Sequence, residues 1–228
     1  RTGNGHVFSS RFMSEDEATD ILMRNLDGAA LAEPRTLKYL TGRRRRFWVK
    51  NCVAVGLASG FLEPLESTSI HLIQSSLQRL IDYFPDQGFD PVDIAEYNRQ
   101  SRFEYERIRD FVILHYKLNQ RTDSAFWEAC AHMPVPDSLT HKIELFAAHG
   151  RMVRVDNELF TEESWLQVFE GQNLVPRRYH PLVDLQPEVE VAKYLESVRA
   201  VITKCVEVMP DHAAFIAKHC AAPKSTMM

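Results

Sequence analysis

The sequence predicts an α+β protein, with short strands at the N-terminal end and a mostly helical remainder. Three observations carry this. β-favouring runs are confined to the N-terminal part, in 6–12, 37–39 and 46–55. From Pro64 onward apolar residues recur at helical spacing. Gly and Pro punctuate the chain singly, with no internal repeat and no low-complexity linker.

The elements follow in order. Thr2-Gly3-Asn4-Gly5 is turn-like, and the β-favouring residues behind it predict a short strand over 6–12. Its hairpin partner would lie before residue 1, and a chain opening on Arg1 is expected to begin inside a longer protein. Ser14-Glu15-Asp16-Glu17 is a capping box and predicts a helix to about Leu26. Strands are expected at 37–39 and 46–55, then a small-residue turn at Ala58-Ser59-Gly60. Ile70, Ile73, Leu77, Leu80, Ile81 and Phe84 predict a helix from Pro64 to about Phe84. A long helix should follow Pro91, and Asp123 and Asp137 are placed as caps of two more, the second stopping at Gly150. Residues 174–187 read as irregular. A helix over 188–209 and a short one after Pro210 complete the chain.

Composition excludes several function classes. With 27 basic and 31 acidic residues, the net charge of −4 offers no general field for nucleic acid. Arg43 to Arg46 read as a solvated turn rather than a phosphate contact. Cys52, Cys130, Cys205 and Cys220 are scattered and form no CxxC pair, as expected of free thiols in a reducing cytoplasm. His71, His115, His132, His141 and His149 show no metal-ligand spacing and are expected to be ordinary core or surface residues. No apolar run is long enough for a membrane span. The charged and aromatic stretch Arg102–Arg109 could present a face to a second subunit, giving a homodimer.

The chemistry concentrates in Asn51–Ile70: an apolar strand, a turn of small residues, then hydroxyls and two carboxylates at the start of a helix. Helix N-terminal amides lack intrahelical partners and suit an anion. The plainer alternative is that Glu63 and Glu66 only complement the helix dipole behind Pro64.

The segment GLASGFLEPLESTSI (56–70) closely resembles the active-site and halide-binding segment of flavin-dependent halogenases of the tryptophan-halogenase type. TGNGHVFSSRFMSEDEAT (2–19) and GRRRRFWVKNC (42–52) resemble the preceding segments of that family, in the same order. The resemblance is close over 1–120 and looser beyond. It implies that Glu66 lies beside the substrate ring, to stabilise the developing cation or orient the halogenating species. It places chloride or bromide at Thr68 and Ser69, and FAD at Leu57, Ile70 and Ser67. Where the better-known tryptophan enzymes carry Gly, this chain has Ser69; the amide survives, and strain would follow only if positive φ were required there. Phe160 falls near a family Trp and Trp165 near a family Tyr, so both are expected at the substrate, with core packing as the alternative.

By this resemblance, 1–84 is the C-terminal part of the FAD- and halide-binding module, its strands completing a sheet begun upstream. The stretch 85–228 is a helical substrate-binding and capping region. The implied reaction is FADH2- and O2-dependent halogenation of tryptophan, indole or another electron-rich arene through hypohalous acid, with a separate flavin reductase as transient partner. The family's GxGxxG turn, GWxWxIP segment and catalytic lysine belong upstream, and neither Lys38 nor Lys50 has that lysine's context. The chain alone is therefore expected to bind FAD weakly and to be inactive. Two rivals stand beside this: a flavin monooxygenase-like protein without halide use, and a helical interaction module.

Overall fold

The computed structural model describes residues 4–220. The chain divides into two compact units, Arg1–Arg178 and Tyr179–Met228. The first opens with α1 (Glu15–Arg24). Ser14 and Glu17 form the reciprocal capping box, each side chain bonding the other residue's amide. Four two-residue strands follow: β1 (Gly42–Arg43), β2 (Trp48–Val49), β3 (Cys52–Val53) and β4 (Gly60–Phe61). They make two separate antiparallel pairs, β1 with β4 and β2 with β3. Lys50 turns the β2–β3 hairpin at φ 54°. No strand forms at 6–12 or 37–39. Those runs have strand-forming residues but no partner strand among the described residues, and an unpaired ladder is not stable.

The helix expected from Pro64 starts later. Pro64–Glu66 is a separate 3-10 turn, Ser67 is left-handed at φ 52°, and α2 runs over Ser69–Asp82. Pro64 supplies the first position of the short turn, whose Ser67 amide bonds back to the Pro64 carbonyl at 3.0 Å. The long helix α3 (Pro91–Lys117) is capped by Asp90, whose side chain accepts from the Val92 amide. Then come α4 (Ala125–His132), α5 (Asp137–His149) and α6 (Glu162–Gly171). The caps of α4 and α5 are Ser124 and Pro136, one residue from the expected positions. Gly150 ends α5 at φ 64°, the left-handed stop expected of glycine.

Helix α3 is the spine of this unit, and two apolar clusters meet along it. The first joins Phe47, Trp48 and Leu72 to Tyr97, Tyr105, Ile108 and Val112. Packing thus runs unbroken across position 84. The second gathers Phe111, Leu114, Leu139, Phe146, Trp165 and Phe169 from α3, α5 and α6. Asn98 braces the first: its Oδ1 accepts from the Phe47 and Trp48 amides at 2.6 and 3.0 Å. Its Nδ2 donates to the Trp48 carbonyl at 2.9 Å. A buried backbone without a ladder partner is satisfied by a side chain instead.

The second unit holds a 3-10 turn (Pro181–Leu185), α7 (Glu188–Val208) and α8 (His212–His219). Asp211 caps α8 through the Ala214 amide at 3.0 Å. No residue of α7 is buried, and Leu195, Val201, Ile202 and Val206 are exposed.

Candidate active site

The loop carrying the site is held by a close backbone approach. Gly60 in β4 lies so near β1 that a Cβ there would stand 2.6 Å from the Gly42 carbonyl oxygen and 2.9 Å from the Tyr105 ring. Ser59 is buried; its hydroxyl is 2.6 Å from the Gly56 carbonyl and 2.7 Å from the Tyr105 hydroxyl. Ser59 and Gly60 are therefore small for space and Gly56 for its positive φ of 62°, and together they hold the start of Phe61–Ser69 beside Tyr105 of α3.

Glu66 leaves the short turn toward α3, where its Oε1 lies 2.9 Å from His115 Nε2. Both side chains keep some exposure, 29% for Glu66 and 20% for His115. The other ring nitrogen of His115, Nδ1, is 2.9 Å from the Phe111 carbonyl. In the sequence no metal-ligand spacing marks His115. No group of three or more His, Cys, Asp or Glu suited to a metal occurs among the described residues. The partner that His115 finds is instead a carboxylate brought in by the fold.

Glu63 is a different acid. Its Oε1 is enclosed without a hydrogen-bond partner among the described residues. Burial pushes its carboxyl above the ordinary carboxylate range; the Tyr116 hydroxyl, the Leu65 amide and His115 pull it partly back, and Glu66 adds to the rise. Tyr116 is pushed far up by burial and then by Glu63, and Tyr39 rises for the same two causes. Neither acid lies in the first turn of α2. Glu66 lies instead in the first turn of the short 3-10 helix, and Glu63 is the residue that precedes it.

Thr68 is buried at the start of α2, with no side chain capping the helix, and Ser69 is its first residue. The first-turn amides have no intrahelical acceptor and are available to an anion. The positive φ falls on Ser67, whereas Ser69 is helical, so serine in place of glycine brings no strain at Ser69. Leu57 and Ile70 are 73% and 70% exposed. Two open apolar side chains near free amides fit the edge of a flavin ring and a halide. The chain has no glycine-rich turn for the cofactor's pyrophosphate.

The aromatic residues complete the neighbourhood. Phe160 stacks on Phe111, with centroids 3.8 Å apart and planes at 22°. Phe111 in turn meets His115 edge-on at 5.0 Å. A continuous series of contacts thus runs from Phe160 to Glu66. Trp165 is 1% exposed, edge-on to Phe111 at 4.9 Å and beneath the Lys142 ammonium at 4.4 Å. It packs behind the stack and offers no open face.

Known proteins are similar to this chain over most of its length. The sequence profile of the tryptophan halogenase family matches residues 1–188. Xcc4156, a flavin-dependent halogenase from Xanthomonas campestris, superposes with a TM-score of 0.89 at 51% identity, over 95% of this chain and 44% of that one. BrvH, a flavin-dependent halogenase from Brevundimonas sp. BAL3, gives 0.87 at 48% identity, over 92% and 43%. The tryptophan 7-halogenase KtzQ of Kutzneria sp. is 33% identical over 204 residues, 82% of this chain and 38% of that protein. The chain therefore spans less than half the length of these relatives. No helix among the described residues is long and apolar enough to cross a membrane.

Proposed function

Because this chain belongs to the tryptophan halogenase family, we propose that it is the C-terminal part of a flavin-dependent halogenase acting on tryptophan, indole or another electron-rich arene. Bound as the reduced cofactor, FAD with O2 supplies the oxidising power that turns chloride or bromide into hypohalous acid. Leu57, Ser67 and Ile70 would line the flavin edge, and the Thr68 and Ser69 amides would hold the halide. A separate flavin reductase would supply FADH2, and the FAD pyrophosphate would be held by residues upstream of this chain.

The observation that carries the reading is the placement of Glu66. It is the partly open carboxylate of the turn, reached through His115 and Phe111 from Phe160. An arene seated between this aromatic series and the open oxygen of Glu66 would have a carboxylate beside it as positive charge develops in the ring. In a water-poor pocket that attraction is far stronger than in bulk water. Phe160 would touch the substrate, and Trp165 would act by keeping Phe111 in place.

The test is halogenation by the full-length protein. With reduced FAD, chloride or bromide and an indole, it should give a haloindole. Glu66→Gln should lower turnover about a hundredfold or more, on the order of 3 kcal/mol, with flavin and arene binding nearly intact. Hydroxylated product without halide incorporation would instead indicate a monooxygenase. An unchanged rate in Glu66→Gln would remove the carboxylate from the chemistry.

A further inference from the structure

The contacts of His115 fix more than its position. Its Nδ1 lies 2.9 Å from the Phe111 carbonyl, which can only accept, so Nδ1 carries a hydrogen. A neutral imidazole has one N–H, and this bond uses it. Yet Nε2 also lies 2.9 Å from Glu66 Oε1. Two lone pairs do not approach to that distance without a hydrogen between them. One further hydrogen therefore sits in the Nε2–Oε1 contact.

We infer that His115 is the positioning residue for Glu66: it ties down Oε1 through a shared hydrogen and leaves Oε2 as the oxygen presented to the arene. The inference rests on the reading of Glu66 given above and adds a residue to it. An unheld glutamate on a short turn would sample several rotamers. Here one end is fixed to α3, the most deeply packed helix of the unit, and the imidazole is itself held by the Phe111 carbonyl and the Phe111 ring. Glu63 on the same turn feels both members of the pair, Tyr116 follows His115 in the chain and bonds Glu63, and Tyr39 lies beyond Glu63. None of the three is a cation that could replace His115.

Two substitutions separate this role from packing. His115→Asn keeps a donor of the right reach for the Phe111 carbonyl and loses the bond to Glu66. His115→Gln keeps a donor toward Glu66 and loses the other. In the full-length protein loaded with reduced flavin, His115→Asn should lower single-turnover halogenation of an indole at least tenfold, with arene affinity within about threefold. His115→Gln should recover most of that loss. If His115→Asn is as fast as the parent, or if Gln is no better than Asn, the positioning role is refuted. A readout independent of activity is the low-field 1H resonance of a hydrogen held between imidazole and carboxylate. It should be present in the parent and absent in Glu66→Gln. Its absence from the parent, or its persistence in Glu66→Gln, refutes the shared hydrogen. Should the protein fail to halogenate any arene, the proposed function falls while this resonance still decides the pairing.

Discussion

Two carboxylates with nitrogen partners lie near the Phe111 ring, and their surroundings are opposite. Glu66 and His115 are partly open, and each side chain makes one polar contact beyond the turn or helix that carries it. Lys142 and Glu158 are closed, with side chains 7% and 1% exposed, at 2.9 Å. The Lys142 ammonium also donates to the Val153 carbonyl at 2.7 Å and lies over Trp165. The closed pair has no room to change partners, so its role is to anchor the 151–161 segment to α5. The open pair retains an oxygen and a solvent path, which a reacting group requires. Burial, rather than residue type, separates the structural acid from the one proposed for the chemistry.

The largest expected effect comes from breaking the closed pair. Lys142→Met strands the Glu158 charge, whose Oε1 already lacks a partner among the described residues. It should cost about 3–5 kcal/mol, read as a lower denaturation midpoint of the full-length protein. Adding Glu158→Leu should restore most of that loss. A single variant as stable as the parent would show that the pair is not an anchor.

A smaller effect is expected at the support of the open side. Gly60→Ala forces β4 from β1, since a new methyl meets main-chain atoms that cannot turn aside. Overpacking of this kind costs about 1–3 kcal/mol. Because the same displacement moves Phe61–Ser69, turnover should fall further than the lost folded fraction explains. A rate that simply tracks folded protein would uncouple the loop from the site.

The smallest effect sharpens the contrast within the turn. The Glu63 carboxyl is raised in the folded protein, so folding opposes its ionisation. That opposition is absent below the ordinary carboxylate value of about 4.3 and grows as pH rises through the folded value. Glu63→Gln should therefore match the parent in stability near pH 3.5 and exceed it at neutral pH, while retaining near-normal turnover. Equal stability at both pH values would show that Glu63 meets no resistance to ionisation.

Much of the helical scaffold is legible in the sequence, because helices over 91–117 and 188–208 repeat their apolar residues over many turns. The capping box at Ser14 and the stop at Gly150 are local rules and were readable too. Of the strands only the 46–55 run, which holds β2 and β3, is legible; its division into a hairpin and the β1–β4 pair are not. Two-residue pairs leave no alternation to detect, and their backbones depend on distant groups such as Asn98. Within the site, Glu66, Thr68 and Ser69 stand out through the GLASGFLEPLESTSI segment. His115 does not, because its meaning arises from a turn far away in sequence. The aromatic spacing of Phe111, His115 and Tyr116 on one helix was the only available clue. By residue type and spacing alone Glu63 and Glu66 look alike; the family segment singles out Glu66, and the fold encloses Glu63.

The stack of Phe160 on Phe111 has a consequence for how such enzymes diversify. The loop that would meet the substrate leans on the helix that aims the carboxylate, so a change of loop is felt at the reacting end. Transplanting residues 151–161 from a relative with different substrate range would import its own tilt at Phe111 and, through His115, at Glu66. A graft that carries the matching α3 residues should keep its turnover, and one that carries the loop alone should exchange selectivity for speed. Loop and helix are in this sense a single heritable part.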